Sequence, residues 1–188
     1  MNWLKSAGKT AKNDNCPTIH DLEKLVGEMR VIKGPEEIEI MRRAAEISAE
    51  GHSQAMRMCK PGIMEYELAA EIESVFRKHG GDSLHAYPSI VAGGENACTL
   101  HYFDNASKLK SGDLVLVDAG CEFNYYASDI TRTFPVSGIF TPEQKALYEV
   151  VLQAQEAAIA EVAPGKSFAD FHGVAVNVIT SGLIKLGI

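Results

Sequence analysis

Residues 114–134 read LVLVDAGCEFNYYASDITRTF, and no other part of the chain is as informative about its structure. Four apolar residues lead directly into Asp118, and Asp129 stands immediately before Ile130. Short apolar runs of this kind are typical of buried strands. An unpaired carboxylate at the end of a buried strand is costly. We therefore expect each aspartate to have a specific partner.

The two aspartates lie side by side if the segment folds as a hairpin in which Asp118 faces Asp129. Glu122 then pairs with Tyr125, and Phe123-Asn124 form a two-residue turn in which asparagine tolerates a positive φ. Two carboxylates this close repel each other unless a proton or a cation lies between them. A divalent metal satisfies both, and an oxygen-only ligand set favours a hard cation such as Mn²⁺, Mg²⁺ or Co²⁺.

The spacing of the two aspartates leaves a second interpretation open. Each could be a capping or turn residue, or could pair with Arg132 or with a lysine. Two aspartates at this separation form a weak pattern without their context, so the choice depends on the rest of the chain.

The segment from residue 87 to residue 136 is predicted to form a mostly antiparallel sheet. Short apolar runs alternate there with turn residues such as Gly93-Gly94 and Asp104-Asn105. The predicted strands cover residues 89–92, 99–103, 114–117 and 130–136.

Two long helices are predicted before this sheet. Pro35 suits the first turn of a helix, where its missing N–H costs nothing, and Pro61-Gly62 ends that helix. A second helix follows and closes at Gly80-Gly81. A shorter helix is predicted over residues 18–29, with Thr18 as its N-cap. The apolar positions expected to face the core are Ile38, Met41, Ala45, Ala49, His52 and Met56 in the first long helix and Leu68, Ile72, Val75 and Phe76 in the second.

Helices return after the sheet. Thr141-Pro142-Glu143-Gln144 has the form of a capping box, Pro164-Gly165 breaks the helix that follows, and Ser167 with Asp170 can cap the next one. The apolar stripes predicted to face inward are Leu147, Val150, Val151, Ala154 and Ala158 in one helix and Phe168, Phe171, Ala175, Val178 and Ile179 in the other.

The order helix, Pro-Gly, helix therefore occurs twice, and only the first pair is followed by a sheet. This is a coarse repeat of elements rather than of sequence. Because an apolar helix pair must bury its stripe against something, we predict an α+β fold in an incomplete domain. In the alternative, helices 141–186 cover the one sheet that is present.

Composition excludes some classes of function. The formal net charge is −7, which gives no electrostatic reason to bind nucleic acid or an anionic membrane surface. No run approaches the ~20 apolar residues that a membrane helix needs. The four cysteines form no Cys-x-x-Cys pair, which predicts buried or half-buried thiols in a reducing compartment, by default the cytoplasm.

The context of both aspartates resembles the aminopeptidase P family, the Xaa-Pro aminopeptidases, within the metallopeptidases that also include prolidase and methionine aminopeptidase. The motifs that carry this resemblance are Asp118-Ala119-Gly120-Cys121-Glu122, Ser128-Asp129-Ile130-Thr131-Arg132-Thr133-Phe134-Pro135-Val136, Tyr87-Pro88-Ser89-Ile90-Val91, Gly94-Glu95-Asn96 and Leu100-His101-Tyr102. The resemblance runs from about residue 28 to residue 188.

The resemblance implies a pita-bread fold, with two pseudo-symmetric halves around a pair of divalent metal ions, usually manganese. It implies Asp118 and Asp129 as metal ligands, the second bridging both ions. It also implies His101 as a catalytic, substrate-binding residue and Tyr87 as a further substrate contact, with Asn96 near the entrance. The family's remaining ligands, one histidine and two glutamates, come later in its sequence, so we expect this chain to be an inactive fragment. His20, His52, His79, His85 and His172 lie in no motif and are expected at the surface or at helix ends.

The resemblance further implies that the parent enzyme removes the amino-terminal residue from peptides with proline in second position. Residues 1–33 would be the linker or tail of an amino-terminal domain, and residues 34–188 part of the catalytic domain. The full-length protein would be a homo-oligomer whose partner is a proline-containing peptide. Two alternatives remain: a prolidase-type dipeptidase, and a non-catalytic member of the fold that binds peptides or proteins.

Overall fold

The computed structural model describes residues 21–80 and 86–188, which divide into two compact units between Glu39 and Ile40. In the first unit, helix α1 covers Leu22–Met29. Its N-cap is Asp21, whose carboxylate accepts a hydrogen bond from the backbone N–H of Glu23 at 3.1 Å. The predicted cap, Thr18, lies outside the described residues.

Helices α2 (Pro35–Met58) and α3 (Glu65–Lys78) confirm the predicted pair. The corner between them contains Gly62 at φ 95°, a conformation that glycine adopts without steric cost. The predicted stripe of α3 is buried throughout, but that of α2 is largely wrong, since Ile38, Met41 and Met56 are exposed. The face that α2 buries is Ala44, Ile47, Ser48, Gly51, His52 and Ala55.

The predicted antiparallel sheet has three strands, β1 (Ile90–Gly93), β2 (Leu114–Ala119) and β5 (Ile130–Pro135). Their order in the sheet is β1-β2-β5, with β2 in the centre. Burial alternates along β2, so that Val115, Val117 and Ala119 are buried in the core with α3, and Asp118 lies on the other face.

A small ribbon, β3 (Glu122–Phe123) with β4 (Tyr126–Ala127), connects β2 to β5. The predicted register is wrong by two residues: Glu122 pairs with Ala127 instead of Tyr125, and Asp118 pairs with Thr131 instead of Asp129. The turn residues are Asn124 and Tyr125, both with positive φ, as a two-residue turn of type I′ requires. Tyrosine is an unusual residue there, which is why the sequence pointed to the earlier turn.

The prediction of a strand over residues 99–103 is wrong. A short 3₁₀ helix (Gly94–Cys98) leads into a turn in which His101 has φ 53°. A β-conformation would have placed His101 within a sheet, whereas the structure places it on an exposed loop. Cys98, expected to be at least half-buried, is exposed, while Cys121 is buried.

Helices α4 (Pro142–Glu161) and α5 (Phe168–Leu186) repeat the first pair, with Gly165 at φ 87° in the corner. Thr141 and Gln144 form the predicted reciprocal capping bonds. The inward-facing prediction is confirmed only in part: α4 buries Val150 and Ala154, and the predicted α5 positions are half-buried except for the exposed Phe168. Within the described residues these apolar stripes are therefore only partly covered. Among the described residues, no helix is long and apolar enough to cross a membrane.

Candidate metal centre

One phenol hydroxyl brings the two predicted metal ligands together. The Tyr87 Oη lies 2.6 Å from Asp118 Oδ1 and 3.0 Å from Asp129 Oδ1. Both carboxylate oxygens are acceptors, and the hydroxyl has a single proton to donate. The two negative groups therefore lie within reach of one donor, on the face of the sheet opposite the core.

Tyr87 is held in its protonated form by this environment. Burial raises the pKa of the Tyr87 phenol well above its usual range, and its hydrogen bonds to Asp118 and Asp129 and the charges of both raise it further. The phenol thus supplies the proton that relieves the repulsion between two neighbouring carboxylates.

The sheet register sets the position of Asp118. It is on the central strand, paired with Ile90 of β1 and with Thr131 of β5. Asp129 lies two residues before Thr131, and hence on the same face and diagonal to Asp118. Although the predicted direct pairing is wrong, the predicted consequence, two carboxylates on one face, is confirmed.

Gly120 allows the close approach behind the carboxylates. A Cβ at this position would overlap the carbonyl oxygen of Ser128 and lie 3.0 Å from Cε1 of Tyr87. Ser128 donates its backbone N–H to the carbonyl of Cys121 at 2.9 Å. The Asp-Ala-Gly sequence is therefore needed for packing as well as for its carboxylate.

A serine pair fastens this loop to helix α2. Ser48, fully buried, accepts a hydrogen bond from the Cys121 N–H at 2.8 Å and lies 2.6 Å from the Ser128 Oγ. Since Ser128 Oγ is within 3.1 Å of the carbonyls of Ala44 and Cys121, Ser128 donates to one of them and Ser48 donates to Ser128. This pair could not be predicted from the sequence, because nothing in an isolated serine indicates such contacts.

His52 lies one turn further along α2 and is 2% exposed. Its expected place at the surface or a helix end is therefore wrong, whereas its place in the apolar stripe was the correct signal. Its Nε2 lies 3.1 Å from the carbonyl oxygen of Ala119, next to Asp118. Burial lowers the pKa of His52, so the neutral ring donates from Nε2 and Nδ1 is the unprotonated nitrogen.

His101 is exposed, in the turn that follows the short 3₁₀ helix. Its ring stacks on Phe103, with the ring centroids 6.0 Å apart. Asn96, predicted near the entrance, donates through Nδ2 to Glu65 Oε1 at 3.0 Å. The structure thus groups Tyr87 with the two aspartates and places His101 on the loop that follows β1.

An apolar cavity of about 460 Å³ opens on the carboxylate-bearing face of the sheet. Thr131, the sheet partner of Asp118, forms part of its wall. The other walls are Leu114 and Leu116 of β2 and one side of α4, including Leu147 and Val151. This cavity explains why those two leucines and the α4 stripe are only partly buried.

The two carboxylates fit part of a metal centre. They form an oxygen-only pair that already requires a shared proton, and a hard divalent cation would satisfy the same pair. Within residues 21–80 and 86–188, no group of three or more His, Cys, Asp or Glu side chains converges on one point. The described residues therefore bring together two candidate ligands, fewer than a dinuclear centre needs.

The chain matches known proteins over most of its length. A model of metallopeptidase family M24 matches residues 39–187. The chain is 48% identical to the Xaa-Pro aminopeptidase of Escherichia coli (strain K12) over 171 residues, which are 91% of this chain and 38% of that protein. It is 40% identical to Xaa-Pro aminopeptidase 3 of Homo sapiens over 188 residues, which are 100% of this chain and 36% of that protein.

Solved structures agree with these relatives. Aminopeptidase PepP of Pseudomonas aeruginosa superposes with a TM-score of 0.89 at 48% identity, over 99% of this chain and 42% of that one. Zinc-substituted aminopeptidase P of E. coli in complex with product gives 0.86 at 48% identity, over 89% of this chain and 38% of that one. The fold is therefore that of the pita-bread aminopeptidases, and the chain spans about two fifths of the length of its relatives.

Proposed function

Because the chain belongs to metallopeptidase family M24, we propose that the protein of which it forms part removes the amino-terminal residue from peptides with proline in second position. The identity of 48% to an Xaa-Pro aminopeptidase supports this specificity over a prolidase-type activity. The observation that carries the proposal is the pair of carboxylates that shares the Tyr87 hydroxyl. A non-catalytic member of the fold would have no use for such a pair.

Asp118 and Asp129 would both hold divalent ions. When bound, such ions supply a hydroxide nucleophile near neutral pH and polarise the scissile carbonyl. Tyr87 orients the Asp118 carboxylate through the 2.6 Å hydrogen bond from its hydroxyl. His101, exposed on its loop, would bind the peptide, with Tyr87 as a second contact.

Manganese is the metal we propose, since these two carboxylates, together with the two glutamates and one histidine that the resemblance implies, make a mainly oxygen ligand set that favours a hard cation. The remaining ligands would come from the part of its relatives that this chain does not span, so residues 34–188 alone would be inactive. Residues 1–33 would be the linker of an amino-terminal domain. We further propose a homo-oligomer in the cytoplasm, supported there by the free thiols of Cys59, Cys98 and Cys121.

Hydrolysis by the full-length protein, loaded with Mn²⁺, tests this function. An Xaa-Pro-Xaa tripeptide should release its first residue, and Asp129→Asn should abolish both the release and manganese binding. Glu156→Gln is the matched control, because Glu156 is an exposed carboxylate on α4. Cleavage of Xaa-Pro dipeptides alone would indicate the prolidase-type activity. Cleavage of the tripeptide by the Asp129→Asn variant would contradict the proposed metal-dependent function.

A further inference from the structure

Glu65, in the first turn of α3, is the one fully buried carboxylate among the described residues. No lysine or arginine of the described segments pairs with it; four hydrogen-bond donors do. Its Oε1 accepts from the N–H of Gly93 at 2.8 Å and from Asn96 Nδ2 at 3.0 Å. Its Oε2 accepts from Tyr102 Oη at 2.9 Å and from the N–H of Ser107 at 2.8 Å. Two donors on each oxygen leave no position for a proton, so an ionised carboxylate satisfies this site.

All four donors belong to a single segment, residues 93–107. The Glu65 side chain therefore ties the start, the middle and the end of this loop to the helix, and the Glu65 N–H adds a bond to the Ser107 carbonyl at 3.0 Å. Within the loop, Asn96 also donates to Tyr102 Oη at 3.0 Å. The carboxylate is thus the centre around which the segment folds.

His101 is carried at the tip of this loop, next to Tyr102. The tip has little packing of its own, since Leu100 is 92% exposed and Phe103 is 51% exposed. His101 also has φ 53°, a backbone conformation that a non-glycine residue adopts only when its surroundings impose it. The nearest fixed point is the Tyr102–Glu65 hydrogen bond. A second anchor, Asn105, holds the far side of the loop by bonding to the N–H of Val91 at 2.8 Å.

We infer that Glu65 is a positioning residue for His101, acting through Tyr102. This inference rests on the proposed function, because it needs His101 to bind the peptide. Its chemical basis is that buried charge-assisted hydrogen bonds are short and directional, and that a misplacement of about 1 Å in a binding group can lower a rate by about 100-fold.

Two variants disrupt the hydrogen bonding between Glu65 and Tyr102, the first by removing one donor and the second by altering the acceptor. Tyr102→Phe deletes one donor and keeps the ring. Glu65→Gln keeps the shape but sets its amide N–H₂ against two donors, whichever way the amide is turned. Tyr148→Phe is the matched control, because Tyr148 lies on α4 and its ring packs on Phe140.

The test is a double-mutant cycle with His101→Ala on kcat/KM of the full-length Mn²⁺ enzyme for a tripeptide. Tyr102→Phe should lower kcat/KM by about 10-fold or more when His101 is present, in line with the loss of a supporting hydrogen bond, and by less than about 2-fold in the His101→Ala background. Tyr148→Phe should leave kcat/KM unchanged in both backgrounds. Equal losses in both backgrounds would show a general structural role for Glu65 and overturn the inference.

A second measurement keeps the inference separate from the proposed function. In the NMR spectrum of this chain, Glu65→Gln and Tyr102→Phe should shift or broaden the ring signals of His101, while Tyr148→Phe should leave them unchanged. Unaltered His101 signals in both variants would refute the positioning role. If the signals move but the full-length enzyme cleaves no Xaa-Pro peptide, the proposed function fails and the positioning of His101 by Glu65 stands.

Discussion

Replacing Ser48 with alanine should weaken the attachment of the carboxylate loop to helix α2. Ser48 is fully buried, and its hydroxyl accepts the Cys121 N–H at 2.8 Å and lies 2.6 Å from the Ser128 Oγ. Alanine fits the space, but it leaves the buried N–H of Cys121 without an acceptor. An unsatisfied buried donor costs about 1–3 kcal/mol, from which the better helix propensity of alanine removes up to about 0.5 kcal/mol.

We therefore expect Ser48→Ala to lower the free energy of unfolding by about 0.5–3 kcal/mol, which for a chain of this length corresponds to a fall in Tm of roughly 1–12 °C. Urea unfolding of the chain, followed by circular dichroism, measures the change. Ser53→Ala is the control, because Ser53 is exposed on the same helix and should be neutral or slightly stabilising. If the two variants unfold within about 0.5 kcal/mol of each other, the hydrogen bond from Cys121 does not hold the loop as described.

Two further predictions concern the same loop. Gly120→Ala should destabilise the chain by about 3 kcal/mol or more, because its Cβ would overlap the Ser128 carbonyl oxygen, whereas Gly173→Ala in open space on α5 should stabilise it by about 0.5–1 kcal/mol; equal stabilities in thermal melts would refute the close approach. The lowered pKa of His52 means that the unfolded chain binds a proton that the folded chain does not, so stability should fall as the pH drops below about 6.5. His52→Gln, whose amide can still donate to Ala119, should flatten that part of the curve of unfolding free energy against pH, and an unchanged slope would contradict the burial of a neutral His52.

Much of this architecture could be predicted from local signals. Pro35, the two Pro-Gly corners and the box at Thr141 marked helix ends by their backbone requirements, and all of these are confirmed. The apolar run into Asp118 marked the central strand. These signals work because each depends on the residue's own conformational limits rather than on distant partners.

The wrong predictions concern segments whose structure depends on contacts with residues that are distant in sequence. The α2 stripe was misplaced because Ser48 and Gly51, two polar or small residues, face the core to allow close contact with the loop and with Phe76. The strand predicted over residues 99–103 fails because Glu65, far away in sequence, draws the donors of that segment into a compact loop. The stripes of α4 and α5 were expected inside, but most of their residues are only half-buried or exposed, because the described residues provide little to cover them.

At the candidate site too, residues with a local sequence signal could be predicted, and residues placed by distant contacts could not. Asp118 and Asp129 could be found because carboxylates beside apolar strands are conspicuous, even though the predicted partner of Asp118 was wrong by two residues. The position of the Tyr87 hydroxyl between them could not be derived from spacing, because Tyr87 precedes β1 and lies about thirty residues upstream of Asp118. His52, buried behind Ala119, was visible only as a polar member of an apolar stripe.

The central claim, that Asp118 and Asp129 together hold divalent cations, is tested most directly by a crystal structure of the full-length protein soaked with Mn²⁺. Anomalous difference maps locate manganese without reference to any assumed ligand. We expect two adjacent peaks, with carboxylate oxygens of Asp118 and Asp129 within about 2.0–2.4 Å of the metal, as is usual for oxygen ligands of such cations. Peaks elsewhere, or aspartates still bonded to Tyr87 with no metal between them at saturating Mn²⁺, would contradict the central claim.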